Sequence, residues 1–128
     1  MRYFFKIYWK SLLIFAMVLY LSFAPSSTFD GISIPAIPYL DKLVHFIMYA
    51  ACTAVLCFDF FRQQKVVKSR TMFIIICIVL PILIGGVVEL MQERFFYPRT
   101  GDWCDWLADI LGVCFVQLFV PVLKKKCK

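Results

Sequence analysis

The chain has 128 residues, 62% hydrophobic and 17% charged, with a net charge of +6 and a mean hydropathy of +0.83. A soluble domain is closer to half apolar because water must wet its surface, so this composition excludes a soluble globule and points to an integral membrane protein. At about 20 residues for each crossing of a hydrocarbon core roughly 30 Å thick, the length holds about four spans and no separate domain.

The first apolar run covers residues 7–24, preceded by Arg2 and Lys6, with Lys10 just inside it and Tyr8 and Trp9 suited to an interfacial belt. The basic start and the small-x-small triplet Ser22-Phe23-Ala24 also suit a signal peptide. Pro25 directly after that triplet hinders cleavage, so a retained anchor is expected. The second run is 43–61, the third 71–90 and the fourth 103–123. Pro81 should kink the third helix, and Gly85 and Gly86 should admit a close neighbour. The expected fold is an all-α four-helix transmembrane bundle forming a single domain over residues 1–128.

Orientation follows from Lys and Arg. Eleven basic residues fall on one side, at the N-terminus, in the 62–70 loop and in the tail, against Lys42, Arg94 and Arg99 on the other. An even number of spans puts both termini on the same side, and the positive-inside rule makes that side cytoplasmic. The acids are biased the opposite way, with only Asp59 on the inner side, where it reads as a snorkelling helix-end pair with Arg62. The Lys clusters flank spans and lack a stacking platform, so nucleic acid is not expected as a partner. Of the six cysteines, Cys52, Cys57, Cys77 and Cys114 lie in apolar runs and read as small hydrophobes. None has a CxxC or other metal-ligand spacing, and neither a metal nor another cofactor is expected.

Three helices carry polar residues at one depth. Asp41, His45 and Tyr49 are spaced i, i+4, i+8; Glu89, Gln92 and Glu93 share a face continued by Gly85; Asp102, Asp105 and Asp109 form a third stripe extended by Gly112. A charge costs about 2.5–3.5 kcal/mol at mid-membrane on insertion scales, so these stripes should face one another rather than lipid. An outer-leaflet polar pocket between the second, third and fourth helices is expected, with Lys42 or Arg99 available as counter-charges. Asp41, Glu93, Arg94 and Asp102 lie near helix ends and include interfacial residues. Glu89 and Asp109 lie a turn or more inside their spans.

The segments DKLVHFIMYA (41–50), ELMQ (89–92) and RTGDWCDWLADILG (99–112) resemble the VanZ-like family of small bacterial membrane proteins over about residues 40–115. The matching positions are Asp41, Lys42, His45, Tyr49, Glu89, Gln92, Arg99, Asp105 and Gly112, while Asp109 stands where the family usually has Asn. The resemblance implies a multi-pass protein of the bacterial cytoplasmic membrane. It also implies a link to resistance against teicoplanin, a glycopeptide carrying a lipid tail.

The leading functional expectation is a non-enzymatic envelope protein that holds a lipid-linked or lipophilic glycopeptide-type ligand. Its ligand-binding set would be Asp41, Lys42, His45, Tyr49, Glu89, Gln92, Arg99, Asp105 and Asp109. The alternative is an enzyme acting on an envelope lipid or glycolipid, with His45 oriented by Asp41 and with Glu89 or Asp105 as a second acid or base. No GxS nucleophile elbow or HExxH run supports that alternative. Proton or ion movement is a third class, but the inner halves of the spans lack the ionisable groups to continue a path. Oligomeric state is left open.

Overall fold

The computed structural model describes residues 2–24, 39–62, 69–95 and 101–126, and all regular structure among them is helical. The elements are α1 (Arg2–Phe23), α2 (Leu40–Arg62), α3 (Arg70–Phe95), α4 (Trp103–Gln117) and α5 (Val120–Lys126). Three of them are long and apolar enough to cross a membrane: α1 over Phe5–Phe23, α2 and α3. The chain is accordingly a membrane protein. Its burial pattern is inverted relative to a soluble domain: His45, Asp59, Glu89, Gln92, Asp105 and Asp109 are buried, while Leu13, Leu83, Val87, Leu107 and Leu111 are exposed.

The expected fourth span, 103–123, is not one helix. α4 stops at Gln117 and α5 starts at Val120, with Leu118 and Phe119 bonding back to Phe115 and Val116 in tighter i to i+3 steps. The cause is Pro121, which has no N–H to give to Gln117 and whose ring would clash there with the helix. At a rise of about 1.5 Å per residue, α4 alone is shorter than a hydrocarbon core.

Pro81 acts differently. The five residues Ile75–Val79 just before it form a π-helical stretch within α3, a local widening that accommodates a residue unable to continue the ladder. Cys77 lies four residues before Pro81, so its carbonyl lacks the usual donor. It receives the Gln117 side-chain amide of α4 at 3.5 Å.

α2 is the central helix, packed most extensively on α4 and also against α1 and the π-helical stretch of α3. The α2–α4 contact is backbone on backbone at Gly112: a Cβ there would lie 2.5 Å from the Phe46 carbonyl oxygen and 3.1 Å from the Ala50 nitrogen. Lipid tails are as apolar as Leu, so helices associate in a membrane through such close packing rather than through expulsion of water. Two apolar clusters complete the interior. One joins Cys57, Phe60 and Phe61 of α2 to Cys77 of α3 and Val116 of α4; the other joins Val18 of α1 to Tyr49, Cys52 and Val113.

The five described cysteines, Cys52, Cys57, Cys77, Cys104 and Cys114, are free thiols. Cys57 and Cys77 are nevertheless members of one apolar cluster, both fully buried. Cys127 lies outside the described residues. Asp59 departs from the helix-end expectation. It is 1% exposed and accepts from the Ser11 hydroxyl at 2.7 Å and the Ser11 backbone N–H at 3.3 Å, tying α2 to α1.

Candidate functional site

The three polar stripes meet at the end of the molecule where α2 begins, α3 ends and α4 begins. They form two tiers. The shallow tier is built on Lys42, whose ammonium donates to Asp102 at 2.8 Å and to Asp105 at 3.0 Å. Asp41, exposed at the start of α2, brings a carboxylate oxygen within 4.8 Å of Asp105 and of His45. Asp102 is also the N-cap of α4, accepting from the Cys104 backbone N–H at 2.9 Å, which satisfies one of the orphan donors of a helix start. The Lys42 ammonium, and then the Cys104 N–H, hold the Asp102 carboxyl below the usual carboxylate range.

The deep tier lies one turn further in. His45 Nδ1 is 3.0 Å from Asp109 Oδ1 and 3.8 Å from Glu89 Oε1. Glu89 reaches across with its other oxygen, Oε2, to accept the Asp102 backbone N–H at 3.1 Å, so one side chain links the C-terminal part of α3 to the start of α4. Tyr49, one turn below His45, packs into the same region. A Cβ on Gly85 would stand 2.9 Å from Asp109 Oδ2 and 3.4 Å from Tyr49 Cε1. Gly85 is therefore the opening in α3 that lets the Asp109 carboxylate approach its backbone.

Three buried oxygens of this tier, Glu89 Oε1, Asp109 Oδ2 and the Tyr49 hydroxyl, have no hydrogen-bond partner among the described residues. Buried polar atoms are normally satisfied, and an orphan in a native interior calls for an explanation. His45, Glu89 and Asp109 each offer a ligand atom within 4.8 Å of the others, and Asp41, His45 and Asp105 do so as well.

Of the residues singled out in the sequence, the structure brings Asp41, Lys42, His45, Tyr49, Glu89, Asp105 and Asp109 to one place. Gln92 is turned elsewhere: its amide donates to the Ser22 carbonyl at 2.6 Å, where it satisfies the last turn of α1. Arg99 lies outside the described residues. The acid nearest the His45 ring is Asp109, and not Asp41 as the stripe on α2 suggests. Trp106, which sequence reasoning passed over, lies across Gly86 and donates its indole N–H to the Ile82 carbonyl at 2.9 Å, locking α4 to α3 beside the site. Its position between Asp105 and Asp109 was the available signal, since a buried Trp N–H needs an acceptor.

An apolar cavity of about 280 Å³ adjoins the deep tier. It lies between α1, α2 and α3, lined by residues such as Leu12, Phe15, Val18, Cys52 and Ile84, and Tyr49 is among its walls. Comparison with known proteins returns no match, either to a family model, to a curated protein or to a solved structure.

Proposed function

We propose that this chain is a VanZ-like protein of the bacterial cytoplasmic membrane that binds a lipid-linked ligand at its outer face. In this reading, four segments span the bilayer, α4 and α5 together making the fourth, and both termini are cytoplasmic. The polar headgroup lies against the two tiers, and the attached chain enters the apolar cavity. A glycopeptide with a lipid tail, as in teicoplanin, is one member of that ligand class.

The observation that carries this reading is the position of Tyr49. Its ring lines the apolar cavity and lies with Asp109 against Gly85, so the charged cluster and the apolar cavity meet at one residue. An amphiphile needs both kinds of surface, few convergent polar groups beside apolar walls. The carboxylates of Asp41, Glu89, Asp105 and Asp109 would accept hydrogen bonds from sugar hydroxyls or peptide amides. Lys42 is held by Asp102 and Asp105 and would supply an anion contact only by exchanging one of them.

Lipid pulldown with native mass spectrometry tests the reading. Wild type should retain a lipid or glycolipid that the Glu89→Ala, Asp105→Ala double mutant loses, and identical lipid profiles overturn it. Topology has its own test. A membrane-impermeant maleimide applied to intact cells should reach Cys104, which is exposed at the polar end, and should leave Cys127 unlabelled.

An enzymatic reading draws on one observation, the 3.0 Å His45–Asp109 contact, a geometry in which a carboxylate orients an imidazole for proton transfer. Turnover of envelope lipids by the purified protein, lost in His45→Gln, would replace the binding reading with this one.

A further inference from the structure

We propose that His45, Glu89 and Asp109 form a binding site for a single divalent first-row transition-metal ion, with the Tyr49 hydroxyl beside it. The inference goes beyond the headgroup reading and is independent of it: lipid retention and metal retention are separate measurements, and either can fail alone.

Geometry is the first support. Two atoms each about 2.1 Å from one ion lie roughly 3.0 Å apart at a right angle and roughly 3.4 Å apart at the tetrahedral angle. The Nδ1–Oδ1 and Nδ1–Oε1 separations of 3.0 and 3.8 Å bracket that range. The three ligand atoms come from three helices, α2, α3 and α4, so no short sequence spacing announces them.

Charge is the second. With a neutral imidazole the deep tier holds two carboxylates, and buried charge is costly unless it is paired. The shallow tier solves this with Lys42, which contacts Asp102 and Asp105 directly. Among the described residues the deep tier has no cationic side chain in contact other than His45 itself. A divalent ion would neutralise both carboxylates and leave imidazole in the neutral form in which it ligates metals.

The third is the set of orphaned atoms. Glu89, Asp109 and Tyr49 are 6%, 1% and 2% exposed, yet each carries an oxygen without a partner. Tyr49 is an independent witness, because it is no member of the ligand triad. Its ring lies with Asp109 Oδ2 against Gly85, where a Cβ would stand 3.4 Å from Tyr49 Cε1 and 2.9 Å from that oxygen. A metal would occupy Glu89 Oε1, and a water or ligand oxygen completing its coordination would give Asp109 Oδ2 and the phenol a partner.

Donor chemistry selects the ion class. One imidazole nitrogen with two carboxylate oxygens suits Zn²⁺, Mn²⁺ or Fe²⁺. It is too poor in oxygen for Ca²⁺, which takes six to eight such ligands. It also lacks the thiolates that favour Cu(I), since the Cys57–Cys77 pair belongs to a different cluster, with Phe60, Phe61 and Val116.

The test is titration of chelator-stripped full-length protein in detergent with Co²⁺, read by its visible d–d absorption, and with Mn²⁺, read by electron paramagnetic resonance. The expected result is one bound ion per chain with Co²⁺ bands of low-symmetry nitrogen–oxygen coordination. Binding should weaken ~tenfold or more in Glu89→Gln and in Asp109→Asn and stay unchanged in Cys114→Ser, at an exposed thiol outside both tiers, with Asp41→Asn made to probe the shallow tier. The absence of Co²⁺ bands in wild type overturns the proposal whether or not any variant folds. Equal binding by both deep-tier variants also overturns it, as does loss confined to Asp41→Asn, which would put the ion in the shallow tier.

Discussion

Asp59 and Asp109 are equally buried, each 1% exposed, and they sit at opposite ends of α2's packing surface in opposite states. Asp59 accepts twice from one residue, from the hydroxyl and the backbone N–H of Ser11. Asp109 meets one imidazole and leaves an oxygen orphaned. Burial alone therefore says little about what an intramembrane carboxylate is for. A satisfied one is a clamp between helices. An unsatisfied one among other unsatisfied groups holds unused hydrogen-bonding and ligating capacity, and such local cost is characteristic of sites kept for function.

The contrast depends on α2 and α4 staying in register, so the largest effect should come from breaking their contact. Gly112→Val would drive side-chain atoms into the Phe46 carbonyl, and backbone cannot yield as a flexible side chain does. A loss of roughly 3 kcal/mol is expected, measured as thermal or denaturant unfolding in detergent, together with loss of the deep tier's ligand binding. A variant of wild-type stability would show that the helices do not meet here.

Next in size is the clamp. Asp59→Ala removes the acceptor for two buried donors and should cost about 2 kcal/mol, with no change in lipid or metal retention. A double-mutant cycle with Ser11→Ala should recover most of that cost as coupling energy. Independent effects of the two changes would contradict the clamp.

Asp109→Asn should do the reverse. It removes a buried charge, keeps the shape and should leave stability within about 0.5 kcal/mol of wild type or raise it, while ligand retention falls. A marked loss of stability would place Asp109 in the same structural class as Asp59 and dissolve the comparison.

The smallest effect belongs to the half-exposed Lys42–Asp102 pair. Asp102 is depressed in the folded protein by Lys42 and the Cys104 N–H, so its contribution is complete above the free carboxylate value, about 3.9. That contribution is lost as pH falls through the lower folded value. Acid titration of unfolding should show this loss in wild type, and Asp102→Asn should lack it.

Much of this was legible before any coordinates. The α1, α2 and α3 spans follow from runs of apolar residues, because the free energy of crossing lipid is a local sum over about 20 residues. The three polar stripes follow from helical phase, and six of the nine proposed site residues besides Asp109 and Arg99 converge with it, Gln92 being the one that turns away to Ser22. Pro121 shows the limit of a hydropathy run: 103–123 is apolar apart from its acids and Gln117, yet the missing N–H divides it into α4 and α5.

By itself, then, the sequence determined that the chain belongs in a membrane, where three of its helices lie, and that its acids cannot all face lipid. Each of these depends only on neighbours along the chain. Tertiary structure alone decided which acid meets which partner: Asp109 and not Asp41 beside the His45 ring, Ser11 on Asp59, Gln92 on Ser22. Such pairings join residues 48 to 70 positions apart. They turn on the relative rotation and axial register of packed helices, which in a membrane are set by close contacts such as Gly112 on Phe46. A shift of one residue along either helix would rotate its side chains by about 100° and dissolve the cluster.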